Sequence, residues 1–267
     1  MLFVQQSGSV NQPPLLMLHG IGGNHQAFAP QLDCLGRSAH CLAWDMPGYG
    51  QSISNIAMTW ANLCDAIVTL LDQHHIAQIN LLGHSLGGML ALEFAQRHPA
   101  RTQSLILYAT SPAFGNQEGS FQSQFLHARL KPLERGASMG DIANKVVPSL
   151  LYDAPSSLRA ELVTMMAQVL PQTYAQALAC LTQFDQRPNL SNIQVPTTVI
   201  AGQNDPNAPA KMMAKMAKKM PNAQFVCIPQ CGHFANLEQP HTFNQIIEQH
   251  LANLPPMPPQ GQAHEYA

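Results

Sequence analysis

Ser85 stands in Gly83-His84-Ser85-Leu86-Gly87, with an apolar run from Ile79 to Leu82 before it and a helical stripe of Leu86, Leu90 and Phe94 after it. A strand, a tight turn and a helix in that order form the setting of a nucleophile elbow, where flanking glycines let the backbone pass beneath a strained serine. The alternative is a serine that merely caps the helix. A serine hydroxyl is a weak nucleophile near neutral pH, so it needs a base in reach and a group that orients that base. His233, in "CGHFANLEQP" (231–240), and Asp205, in "GQNDPNAP" (202–209), offer both, each just past a candidate strand. Taken singly, His233 is one of 12 histidines and Asp205 belongs to an Asn-Asp-Pro turn. Asp153 and Asp185 compete for the acid role but fall in a helical stretch, and no acid ends the strand "LILYATSP", so Asp205 is favoured.

Attack on a carbonyl also needs two backbone N–H donors aimed at the developing oxyanion, each worth ~3 kcal/mol. Leu86, the residue after the serine, supplies one. The glycines of "HGIGG" (19–23) permit a turn that aims the amide of Ile21 at the same spot, although an ordinary glycine turn would read alike. Neither stretch carries the glycine and lysine pattern of a phosphate-binding loop or the full dinucleotide fingerprint.

The elements that must position these groups are short apolar strands alternating with helices. "PLLMLHG" (14–20), "HCLAWDMPG" (40–48), "QINLLGHS" (78–85), "QSLILYATS" (103–111), "PTTVIAGQND" (196–205) and "AQFVCIP" (223–229) predict strands buried on both faces of a parallel sheet. In such a sheet function gathers at the carboxyl edge of the strands. "TWANLCDAIVTLLDQHH" (59–75) predicts a helix capped by Thr59, with Leu63, Ile67, Leu70 and Leu71 on one stripe against the sheet. From about 114 to 190 the alternation gives way to helical patterns, which predicts an insertion between two parts of one core, 1–113 and 191–254. The tail 255–267, rich in proline and glutamine, has little to bury and is expected to be flexible.

Composition excludes several classes. With 13 Lys and Arg against 15 Asp and Glu, the net charge of -2 provides no footprint for nucleic acid or anionic lipid. No apolar run approaches the roughly 18 residues of a membrane span, and "MLFVQQSG" lacks the pattern of a signal peptide, so a cytoplasmic location is expected. The six cysteines are scattered; Cys227, Cys231 and His233 lie near one another at a spacing wrong for zinc, so no metal is expected. A homo-oligomer is compatible with the sequence.

The ordered set "LLMLHGIGG", "WDMPGYGQS", "NLLGHSLGGMLALEFAQRHP", "SLILYATSP", "VPTTVIAGQNDPNAP" and "CGHFANLEQP" resembles the α/β-hydrolase superfamily over nearly the whole chain. That resemblance implies an α/β fold with a mostly parallel sheet and a helical cap between the sixth and seventh strands of the family. It assigns Ser85 as nucleophile, Asp205 as orienting acid, His233 as general base, and the amides of Ile21 and Leu86 as the oxyanion hole, with no cofactor. Asp45 matches a loop-buttressing position, and His84 and His19 are expected to pack rather than react. The chain looks most like capped serine esterases and lactonases of the 3-oxoadipate enol-lactonase type, so the expected partner is a small ester or lactone. A carbon–carbon bond hydrolase of aromatic-ring-cleavage products and a ligand-binding protein on the same fold are the rival expectations. Only about one strand fits before "LLMLHG", so the family's usual first edge strand is expected to be missing. Arg129, Lys131, Arg135, Lys145 and Arg159 are positive charges of the insertion that could meet a substrate carboxylate or simply face solvent, and Met165 and Met166 are candidate lining residues or core.

Overall fold

Residues 2–54, 56–115 and 120–255 are described by the computed structural model. Of the tail expected to be flexible, all but Pro255 lies outside them. Seven strands form one sheet: β1 (Val4–Ser7), β2 (Pro14–Leu18), β3 (His40–Trp44), β4 (Ile79–His84), β5 (Thr102–Tyr108), β6 (Thr197–Gly202) and β7 (Ala223–Ile228). Their order is β1-β3-β2-β4-β5-β6-β7, and every pairing is parallel except that of β1 with β3. β1 is the single strand that precedes "LLMLHG", so the family's usual first edge strand is absent among the described residues.

Period-two alternation sorts the strand residues between two cores. Leu16, Leu18, Leu81 and Leu105 face one layer; Leu15, Met17, Leu82 and Ile106 face the other. Strands buried this way need a helix on each side. α1 (Ala29–Leu35), α2 (Trp60–Gln73), α3 (Leu86–Arg97), α8 (Ala210–Ala217), the short α9 (Ala235–Glu238) and α10 (Pro240–Ala252) supply the two layers. The Thr59 hydroxyl accepts the Asn62 amide at the start of α2, and Leu63, Ile67, Leu70 and Leu71 are all buried as their stripe requires. Burial of each such side chain contributes about 1.5–3 kcal/mol.

β7 departs from the expectation of burial on both faces: Gln224, Phe225 and Cys227 are exposed. It is the last strand of the sheet and has a neighbour on one side only.

Among the described residues, four α-helices, α4 (Phe121–Glu134), α5 (Met139–Val146), α6 (Ser156–Ala167) and α7 (Pro171–Thr182), lie between β5 and β6. The insertion thus follows the fifth strand of this sheet rather than the sixth, because one strand fewer precedes it. It leaves and rejoins the core at a narrow neck, where Ala113 bridges Asp185, Phe114 N–H donates to Phe184 C=O, and Gln186 N–H donates to Pro112 C=O. No described helix is long and apolar enough to cross a membrane.

Candidate active site

The chain runs from β2 outward to β3 and then back across β2 to β4, so the strand order reverses between β2 and β4. A crevice opens at the carboxyl ends of strands at such a point. The "HGIGG" turn leaves β2 and the "GHSLG" turn leaves β4, and the two strands are paired through Leu18 and Gly83. The turns therefore lie side by side. Contact is so close that a Cβ on Gly87 would stand 2.1 Å from the Leu18 carbonyl oxygen, and one on Gly83 2.5 Å from that of Gly87. Glycine at both places is a steric requirement of the elbow.

Ser85 has φ 52° and ψ -115°, a conformation few L-residues adopt. Its N–H donates to Tyr108 C=O at 3.1 Å, and its C=O accepts the Thr110 hydroxyl at 2.7 Å and the amides of Gly88 and Met89. The surroundings over-determine the strain. The serine makes no side-chain cap on α3, which removes the bland reading of it as a capping hydroxyl. Among the described residues, the amides of Ile21 and Leu86 donate to no protein acceptor.

Asp205 and His233 come together in the same way, from the turns after the paired strands β6 and β7. His233 Nδ1–H donates to Asp205 Oδ2 at 2.7 Å, while Asp205 Oδ1 accepts the amides of Asn207 and Ala208 at 2.8 and 3.1 Å. Burial alone would push this carboxyl up; the hydrogen bond and charge of His233 with the two amides outweigh it and hold the group below its ordinary value. With Nδ1 engaged, the Nε2 of a neutral His233 is the basic nitrogen. Ser85 and His233 line one cavity of about 410 Å³ beneath the insertion, and Ile21 borders it too. The competing acids are elsewhere engaged or exposed: Asp185 pairs with Arg187, and Asp153 faces solvent.

The neighbouring histidines are held neutral. His84 stacks on Tyr108 at 4.5 Å, and its Nε2–H donates to the His233 carbonyl at 3.0 Å; burial, then the charge of His233, depresses its pKa. His19 donates from Nδ1 to Gly20 C=O and accepts the Met46 amide at Nε2, an arrangement open only to the neutral ring, and burial lowers its pKa to about 4. It therefore braces the Ile21 turn. Asp45 accepts the amides of His25 and Gln51 and the His25 ring N–H, a loop-buttressing role.

Sequence reasoning passed over Glu238. Its carboxylate accepts the amides of Gly232 (3.1 Å), Phe234 (3.1 Å) and Tyr152 (2.8 Å), while His233 N–H donates to Leu150 C=O at 2.8 Å. One side chain on α9 thus fixes the His233 turn on both sides and ties it to the insertion. Of the insertion's Lys and Arg only Arg129 reaches the cavity wall among the described residues; Met165 and Met166 line it as well, and Met166 is also core. Among the described residues, no group of three or more His, Cys, Asp or Glu stands together as a metal site.

A strained serine between β4 and α3, the reversal between β2 and β4, and an acid and histidine after the last two strands are the marks of one fold family. A family model described as the α/β hydrolase fold matches residues 13–240, and the chain belongs to that family. Among curated proteins it is similar to 3-oxoadipate enol-lactonase 1 of Acinetobacter baylyi, with 27% identity over 250 residues that cover 92% of this chain and 91% of the other. It is 29% identical over 259 residues to the pimeloyl-[acyl-carrier protein] methyl ester esterase of Chromobacterium violaceum, covering 94% and 98%. A thermophilic esterase from Thermogutta terrifontis superposes with a TM-score of 0.86 at 25% identity, covering 94% and 93%. The enol-lactonase of Burkholderia xenovorans LB400 shares the fold at a TM-score of 0.86 and 23% identity, over 94% and 96%. Family and relatives alike support hydrolase activity, and a small-molecule substrate fits the family.

Proposed function

We propose that the protein hydrolyses a small carboxylic ester or lactone through an acyl-serine intermediate. The observation that carries this reading is the pairing of a strained Ser85 with a His233 oriented by buried Asp205 in the wall of one cavity. His233 Nε2 takes the proton from the Ser85 hydroxyl as its oxygen adds to the carbonyl carbon. The resulting oxyanion is received by the Ile21 and Leu86 amides. His233 then gives the proton to the departing alkoxide oxygen. Water repeats the sequence on the acyl-serine, releasing the acid and restoring the serine, while Asp205 keeps the imidazole in its Nδ1–H form. The helical insertion acts as a cap whose side chains select the acyl group.

Retention of all three side chains favours turnover over simple ligand binding. The test is Ser85→Ala against a short-chain p-nitrophenyl ester. Loss of both the burst and the steady-state release, with an unchanged circular dichroism spectrum, is expected. Turnover at the wild-type rate would overturn the assignment.

A further inference from the structure

Ser85 and His233 stand on strands that do not pair. Ser85 follows β4 and His233 follows β7, with β5 and β6 between them. Three strand spacings of about 4.8 Å put β4 about 14 Å from β7, so the ladder alone does not set the gap across which a proton must pass. His84 spans it. The ring of this residue, the last of β4, lies on that of Tyr108, its cross-strand neighbour in β5, with centroids 4.5 Å apart and planes 17° from parallel. From there its Nε2–H donates to the His233 carbonyl at 3.0 Å, and its ring stands 4.9 Å from that of His233 and 5.0 Å from that of Phe234. Among the described residues this is the one hydrogen bond between the elbow, 83–89, and the turn, 231–238.

The ring has little freedom to move. His84 is buried, and Tyr108 beneath it meets Phe243 of α10 edge-on at 4.7 Å, so the stack rests on the core. A Cβ on Gly20 would come within 3.1 Å of His84 Nδ1 and 3.0 Å of Ser85 Cβ, so the "HGIGG" turn closes on the same ring. Burial and the charge of His233 keep the imidazole neutral, and a neutral donor does not oppose the imidazolium that His233 becomes during the reaction. We infer that His84 is a positioning residue, which sets the separation of Ser85 Oγ from His233 Nε2 by tying the His233 carbonyl to the residue before the nucleophile. This rests on the reading of Ser85 as nucleophile. The Nε2–H of His84 is spent on a main-chain carbonyl, so its effect runs through the placing of His233 and not through proton transfer. A misplacement of about 1 Å between reacting groups can cost about 100-fold in rate.

His84→Phe keeps a ring against Tyr108 and deletes the donor, whereas His84→Gln deletes the ring and keeps an N–H at the reach of Nε2. The two variants should therefore cross. On a short-chain p-nitrophenyl ester, His84→Phe is expected to lower kcat about 10- to 100-fold, with KM within about threefold of wild type and the melting temperature nearly unchanged. His84→Gln is expected to stay within about fivefold in kcat while its melting temperature falls. A role in packing alone predicts the reverse ranking. A Phe variant that loses less than tenfold, or a Gln variant that loses as much as the Phe variant, overturns the inference. Nuclear magnetic resonance of the His233 imidazole in a Ser85→Ala background separates it from the nucleophile assignment. The Nδ1 proton held by Asp205 should exchange with water at least tenfold faster in Ser85→Ala/His84→Phe than in Ser85→Ala. Faster exchange supports the inference even if Ser85→Ala retains turnover. Equal exchange overturns it even if Ser85 is the nucleophile.

Discussion

Replacing Glu238 tests whether the His233 turn is positioned from outside the proposed set of Ser85, His233 and Asp205. Three backbone amides end on this carboxylate, two from residues flanking His233 and one from Tyr152 of the insertion. A hydrogen bond to a charged acceptor contributes about 1.5–3 kcal/mol when buried. The side chain here is only half-buried, so solvent screening cuts each to about 1 kcal/mol. Glu238→Gln can keep its carbonyl oxygen at the atom that accepts Gly232 and Tyr152, and it then sets an amide NH2 against Phe234 N–H. The expected loss is about 1 kcal/mol, or about fivefold in the population of the ordered turn. Glu238→Ala releases all three amides and should cost about 2–3 kcal/mol, or about 30- to 150-fold. The assay is kcat/KM on a short p-nitrophenyl ester, with the melting temperature followed in parallel. Because the effect is local, assay far below the mutant's melting temperature should not restore the rate. If Glu238→Ala stays within twofold of wild type, or recovers fully on cooling, the positioning argument is wrong.

Asp205→Asn should reduce kcat by about 10³- to 10⁴-fold, because the amide favours the wrong imidazole tautomer while leaving the turn in place. A loss below tenfold in the same ester assay would move the acid role to another residue. Stability should fall as pH drops from 6.5 towards 4. Burial holds His250, packed between the hydroxyls of Thr198 and Ser104, at about 4 against an ordinary 6.5. Through that window the unfolded chain binds a proton that the folded chain refuses, which costs about 3 kcal/mol at most. Urea midpoints at pH 7 and pH 4.5 should converge in His250→Gln relative to wild type; equal pH dependence in the two proteins would contradict this account.

The geometry of the candidate site is legible in the sequence wherever a backbone requirement leaves its mark on residue type. Gly83 and Gly87 announce the elbow because any side chain there would strike Gly87 or Leu18 backbone oxygen. Asp205 and His233 were legible from their places after candidate strands, since a parallel sheet gathers everything that follows a strand at one edge. β7 was misjudged because an edge strand and a central strand can be equally apolar, and "AQFVCI" does not record how many neighbours it has. Glu238 was invisible for a different reason. A carboxylate that accepts only main-chain amides demands nothing of the residues that donate them, so no paired side chain marks it. The insertion cations read as equals in sequence, and only the course of α4 set Arg129 apart from Lys131, Arg135, Lys145 and Arg159.

The neck at Ala113 and Asp185 and the link to the His233 turn share a property: at both, the insertion offers main-chain groups to the core, joined at the neck by the Gln186 side chain on Glu93 and the Phe184 ring on Trp60. Phe184 and Leu150 lend carbonyls, and Tyr152 and Gln186 lend amides. Any sequence that folds into the same path can supply those groups. Side chains of α4 to α7 that face only the cavity can therefore be rewritten while Ser85, His233 and Asp205 keep their places, whereas Thr173, whose hydroxyl donates to Gly48 C=O, holds the insertion to the core. In engineering terms, the roof of the cavity is fastened by connectors that read little sequence and by a few side chains that do, so an exchanged roof must carry those few with it.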